Sequence, residues 1–154
     1  MSTGTAVNCG QSLARENTKI EPAKVIARYI DGKVLKGYTH DFFPNKTTFR
    51  IFPSIDEPLK EGTKIEMIDL KAVFFVRDFA GNPSYDEQKY FVQDKQPIGR
   101  KIEITFKDGE ILVGTTVGYT PHRLGFFLFP VDLQSNNLRV FVISTAVREL
   151  RFLQ

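Results

Sequence analysis

The chain is poor in the residues that usually announce chemistry. It has one cysteine, Cys9, no tryptophan, two methionines and two histidines in 154 residues. A single thiol cannot build an internal disulfide framework or a cysteine-rich zinc site. It also suits a reducing compartment. No apolar run approaches the roughly 18 residues that a membrane helix needs. The opening stretch MSTGTAVNCGQSLAREN lacks the basic start and apolar core of a secretory signal. Together these absences place the protein in the cytoplasm by default. There is no phosphate-cradling glycine loop, no GxSxG and no HExxH. His40 and His122 stand at non-equivalent places without convergent ligands, and the carboxylates are scattered over turns and outward strand positions. The expectation is therefore a non-catalytic protein with no metal and no cofactor. Net charge is only +3, weak for a dedicated nucleic-acid binder.

What is abundant is phenylalanine, 14 residues of it. Phe favours strands and buries a large area, so the composition leans towards sheet. The organisation comes from self-similarity. Residues 24–53 align without a gap on residues 101–130, at an offset of 77, with ten identical pairs. These include Asp31/Asp108, Gly32/Gly109, Leu35/Leu112, Gly37/Gly114, Pro44/Pro121, Phe49/Phe126 and Pro53/Pro130. A second match aligns residues 64–79 with 138–153, which requires a short deletion. The chain thus reads as a flexible N-terminus (1–22), a first unit (23–79), a linker (80–99) and a second unit (100–154). Each unit carries a net charge of +2.

Within a unit the signals are short strands and tight turns. Asp31-Gly32 and Asp108-Gly109 lie between β-rich runs and predict hairpins. Ile102, Ile104 and Phe106 alternate with Glu103, Thr105 and Lys107, so one face is buried. By the repeat, Val25, Ala27 and Tyr29 point inward, and Ile26, Arg28 and Ile30 outward. Gly37 and Gly114 sit inside a second strand, which predicts a sharp bend or a close approach. Third strands fall at 49–52 and 126–129, fourth strands near 64–68 and 139–143, and fifth strands near 73–78 and 147–153. Residues 88–93 offer a further short strand. Helical periodicity is confined to a weak trace at Ser12–Asn17. The fold class is all-β, as two tandem five-stranded, strongly bent SH3/Sm-like small barrels.

The run Asp-Gly-x-x-Leu-x-Gly, present at 31–37 and 108–114, resembles the first motif of the Sm-like superfamily. Phe42 and Tyr119 take the place of that motif's aromatic residue. Ile143-Ser144-Thr145 is similar to the segment between the last two strands of the bacterial Sm-like protein Hfq. The resemblance covers about two-thirds of the chain. It implies a bacterial barrel fold, RNA binding by the strand 2–3 loops, and assembly through strand edges. The loop positions that bind RNA in that superfamily hold Phe43 and Thr47, and Thr120 and Leu124 in the second copy. The run before Ile143 is Val140-Phe141-Val142. These departures favour a protein-interaction or adaptor role, with RNA, single-stranded nucleic acid or a cyclic nucleotide as the alternative. For a PilZ-type cyclic-dinucleotide site, Arg148 and Arg151 stand one residue too close.

Two sets of residues follow as candidates. Asn45, Lys46, His122 and Arg123 lie in the strand 2–3 loops, with Lys71 in the turn before the fifth strand, and could hold an anionic ligand. Ile26, Ile30, Phe127 and Phe141 point away from their own cores, where the other copy has Glu103, Lys107, Arg50 and, near-equivalently, Glu66. Such apolar surface suits packing of the two units within the chain, a homo-oligomer, or a protein partner.

Overall fold

The computed structural model describes residues 22–55, 61–81, 84–91 and 98–154. The expected flexible N-terminus, the helical trace at Ser12–Asn17 and the end of the 88–93 run lie outside these residues. Gln88–Phe91 are not in a strand.

The fold is all-β and antiparallel. In chain order the strands are β1 (Ala23–Tyr29), β2 (Val34–Thr39), β3 (Thr48–Ile51), β4 (Thr63–Glu66), β5 (Leu70–Val76), β6 (Arg100–Phe106), β7 (Ile111–Thr116), β8 (Gly125–Pro130), β9 (Asn137–Ile143) and β10 (Val147–Phe152). Short 3-10 turns, Met67–Asp69 and Ser144–Ala146, join β4 to β5 and β9 to β10. Eight strands form one sheet in the order β10-β6-β7-β8-β9-β5-β1-β2, and β3 and β4 form a second, two-stranded sheet. A bridge from Tyr38 to Phe52 links β2 to the end of β3. Strand pairing thus runs on from one repeat into the other.

Both repeats use the same local chemistry. Gly32 and Gly109 take φ of 94° and 97° at the hairpin tips, a conformation that costs glycine little. The preceding aspartates accept a hydrogen bond from the amide two residues on, Lys33 and Glu110, at 3.0 Å each. At Gly37, a Cβ would stand 2.5 Å from the Phe52 carbonyl oxygen. Gly114 meets Phe129 in the same way. Glycine is needed there because the next strand crosses too closely for a side chain.

The registers coincide throughout at an offset of 77. Val25 pairs with Gly37 and Phe75, as Ile102 pairs with Gly114 and Phe152. Phe49 pairs with Ile65, as Phe126 pairs with Val142. The alignment of 64–79 with 138–153 is therefore corrected: no deletion separates the copies. Leu70 corresponds to Val147, and Lys64, not Glu66, corresponds to Phe141. The physical reason is the 3-10 turn. It sits at 67–69 and at 144–146, so β4 ends at Glu66 and β5 begins at Leu70, earlier than apolar content suggested.

The joint between the repeats is β5 against β9, with Phe74 opposite Val140 and Val73 opposite Phe141. It mixes the two cores. Ile26, Ala72, Phe74 and Val76 of the first repeat lie in the cluster of the second, with Ile104, Phe126 and Val140. Phe141 and Ile143 lie in the cluster of the first, with Val25, Phe49 and Phe75. Phe42, Phe127 and Phe141 meet edge to face there, at centroid distances of 5.0 to 6.0 Å.

Part of the stretch between the repeats is fastened down. Buried Asp132, after β8, accepts hydrogen bonds from the Tyr85 hydroxyl at 2.5 Å and from the amides of Gln88 and Gln134 at 2.9 Å. These donors hold the Asp132 carboxyl below its usual range, the Tyr85 hydroxyl foremost, and that same bond pushes Tyr85 up to about 12. The lowered carboxyl stabilises the clasp above about pH 4, its unfolded value, and that support is lost as pH falls further. The raised phenol supports it below about pH 10, and that support fades as pH rises towards 12. The Gln88 amide, which donates to Asp132, is thus expected to keep its protection from exchange, relative to an unstructured peptide at the same pH, between these limits and to lose it below about pH 4. Asp132→Ala is expected to expose the segment 84–88 to protease at neutral pH. Unchanged cleavage in that variant would show that the clasp depends on something else.

Candidate functional site

The joint accounts for three of the four outward apolar candidates. Ile26 and Phe141 are buried, and Phe127 is half-buried against Phe75 and Phe141. These residues serve contact between the repeats. Ile30 does not: it is 59% exposed, at the tip of the first hairpin. It lines a shallow hollow with Tyr29, Asp31, Lys33, Val34, Leu35, Ile68 and Asp69. Val34 and Ile68 are also exposed. At the same places the second repeat has Lys107, Ile111 and Thr145, so this apolar concavity belongs to the first repeat. Burial and the charges of Asp69 and Asp31 push the Tyr29 phenol above its usual value.

Lys71, a candidate for holding an anionic ligand, is engaged by two carboxylates of this chain. Its ammonium lies 2.7 Å from Asp108 and also pairs with Glu110, on the first hairpin of the second repeat. It stands 4.6 Å from the Phe106 ring centroid, and its side chain is only 11% exposed. The pairing lowers the Asp108 carboxyl, with the Lys71 hydrogen bond as the largest cause. Both carboxylates come from the other repeat, so Lys71 is a tether across the joint.

The loop candidates Asn45, Lys46, His122 and Arg123 are all exposed. Lys46 stands 5.0 Å from the Phe43 ring. The Arg123 carbonyl accepts the Ser144 hydroxyl at 3.0 Å, and the Leu124 carbonyl accepts the Ser144 amide at 2.8 Å. Phe42 in one loop and Leu124 at the end of the other pack on the same cluster. The two loops therefore stand on one shared body.

One face escaped the sequence reading. On β3 and β4, Arg50 lies directly opposite Lys64. The Arg50 guanidinium donates to the Gly62 carbonyl at 2.9 Å. Beside Gly62 lies the Phe52 ring, with His40 stacked on it at 5.0 Å and 18°. The signal was present in the repeat: Arg50 replaces Phe127 and Lys64 replaces Phe141. The second substitution was hidden by the displaced alignment of the fourth strand.

Among the described residues, no group of three or more His, Cys, Asp or Glu side chains could hold a metal ion. No helix in them is long and apolar enough to cross a membrane. No curated protein and no solved structure matches the chain at a significant level. One family model does, that of a family of unknown function, over residues 21–154. That match spans both repeats and the joint between them, and the chain belongs to that family, DUF6982.

Proposed function

We propose that the protein is a non-catalytic binding module made of two fused small barrels of the Sm-like type, and that it acts as an adaptor for a protein partner. The barrel reading is supported by the order 5-1-2-3-4 that strand pairing and the Tyr38–Phe52 bridge give to each repeat, and by the close strand crossings at Gly37 and Gly114. The adaptor reading rests on the hollow around Ile30. Ile30, Val34 and Ile68 stay exposed side by side after the joint is made, which suits docking of an apolar side chain, and two aspartates beside one lysine give the rim a net negative charge. The matching partner is a peptide segment with an apolar side chain next to Lys or Arg.

Ile30→Glu with Ile68→Glu should leave stability within about 0.5 kcal/mol, because both side chains are exposed. A random peptide library selected on the native protein and counter-selected on this variant is expected to enrich apolar-basic sequences. No enrichment, or enrichment that the variant retains, would overturn the reading.

A second reading, binding of single-stranded nucleic acid, is favoured by the shared footing of the two loops on one cluster. Replacing Lys46 and Arg123 by Ala is then expected to weaken oligonucleotide binding for all sequences and to lower its salt dependence.

A further inference from the structure

The joint provides an internal control for the outer face of β3 and β4. In the second repeat the matching face holds Phe127, Phe129 and Phe141, and Phe127 and Phe141 meet the aromatic core of the first repeat. In the first repeat the same positions hold Arg50, Phe52 and Lys64, with His40 stacked on Phe52. A face that joins protein to protein in one copy has become cationic and aromatic in the other.

Protecting an open strand edge needs charge, but it does not need this arrangement. Like charges directly opposite on neighbouring strands are destabilising, and opposite charges would shield the edge equally well. The Lys64 ammonium lies 3.5 Å from Glu66, an exposed pair that contributes little. The Arg50 guanidinium has no carboxylate partner among the described residues; its one hydrogen bond is to a neutral carbonyl. Asp41 is a second carboxylate nearby, but its Oδ1 accepts the Arg50 amide at 3.0 Å and the Thr39 hydroxyl at 3.1 Å, and among the described residues it forms no ion pair with the Arg50 guanidinium or the Lys64 ammonium. Next to this charge, the stacked His40 and Phe52 rings offer a flat surface. Gly62 holds the two parts together, accepting the guanidinium on its carbonyl and leaving room for the Phe52 ring, where a Cβ would come within 2.8 Å.

We propose that this face binds a nucleotide, with its phosphate between Arg50 and Lys64 and its base on the His40–Phe52 stack. Base stacking on aromatic rings, beside cations that hold phosphate, is how proteins take single-stranded nucleic acid without reading sequence. The site is distinct from the Ile30 hollow and from the loop residues Lys46 and Arg123.

The test is a titration at low salt with three probes: a labelled short oligonucleotide, a nucleoside monophosphate and inorganic phosphate. The nucleoside monophosphate is expected to bind more tightly than phosphate alone. An oligonucleotide that binds far more tightly than the mononucleotide identifies a strand as the source, and equal affinity identifies a free nucleotide. Arg50→Ala with Lys64→Ala is expected to lower affinity at least tenfold. His40→Ala is expected to cost roughly 5- to 100-fold for the nucleotide and to leave phosphate binding unchanged. All three side chains are exposed, so the melting temperature serves as a check on folding. No binding at low salt overturns the proposal. So does binding that survives the Arg50/Lys64 variant and is lost in the Lys46/Arg123 variant, which assigns the ligand to the loops.

Discussion

Replacing Phe141 by lysine is expected to unfold most of the protein at room temperature. Phe141 comes from the second repeat but sits fully buried in the core of the first, against Phe42 and Phe127. Truncating such a ring costs about 3–5 kcal/mol. A buried ammonium without an acceptor adds several more, since Asp108 and Glu110 are already paired with Lys71 and the cluster around Phe141 is apolar. Against a total stability of about 5–15 kcal/mol for a typical domain, that is most of the margin. Phe141→Leu keeps an apolar side chain in place and is expected to lose far less. The comparison needs only urea melts of the three proteins. Lysine and leucine variants of equal stability would show that Phe141 does not hold the repeats together. The choice of lysine is not arbitrary, because Lys64 is the residue at this position in the first repeat.

What the sequence could and could not reveal follows the range of each interaction. The Asp-Gly hairpins, the inward face of Ile102, Ile104 and Phe106, and the glycines at the strand crossings are local, and they were legible. The register of the fourth and fifth strands was not. Apolar strings such as KAVFFV and FVISTAV look alike when slid by three residues, and only the shared 3-10 turn fixes the offset. The use of Phe127 and Phe141 was half legible. Their alternation showed that they leave their own core, but it could not show which core they enter, since that depends on which strand edges meet. The carboxylate partners of Lys71 were not legible because Asp108 and Glu110 stand 37 and 39 residues away in the chain. The Ile30 hollow assembles the first hairpin with Ile68 of the 3-10 turn, so no single window of sequence contains it.

The converse substitution should create an assembly. The joint pairs β5 of the first repeat with β9 of the second, and their counterparts are the two outer strands, β10 and β4. A second chain could in principle repeat the joint head to tail. Four positions oppose it. Ile26, Phe74, Phe127 and Phe141 at the joint become Glu103, Arg151, Arg50 and Lys64 at the outer edges. Glu103 and Arg151 pair with each other across β6 and β10, so they are satisfied without a partner. Burying Arg50 and Lys64 against a second copy would cost each its hydration, with no carboxylate carried by the opposing apolar positions. Charged outer strands of this kind keep sheets from joining edge to edge. The native chain is therefore expected to sediment as a monomer. Arg50→Phe, Lys64→Phe, Glu103→Ile and Arg151→Phe together are expected to drive association. Each buried phenylalanine removes on the order of 150–250 Å² from water, at about 25 cal/mol per Å². The contact is head to tail, so the product is a ring if the rotation between repeats closes and a fibre if it does not. Sedimentation and negative-stain imaging distinguish these forms. An assembled native chain, or a fourfold variant that stays monomeric at high concentration, would mean that these four charges are not what limits pairing to the one joint within the chain.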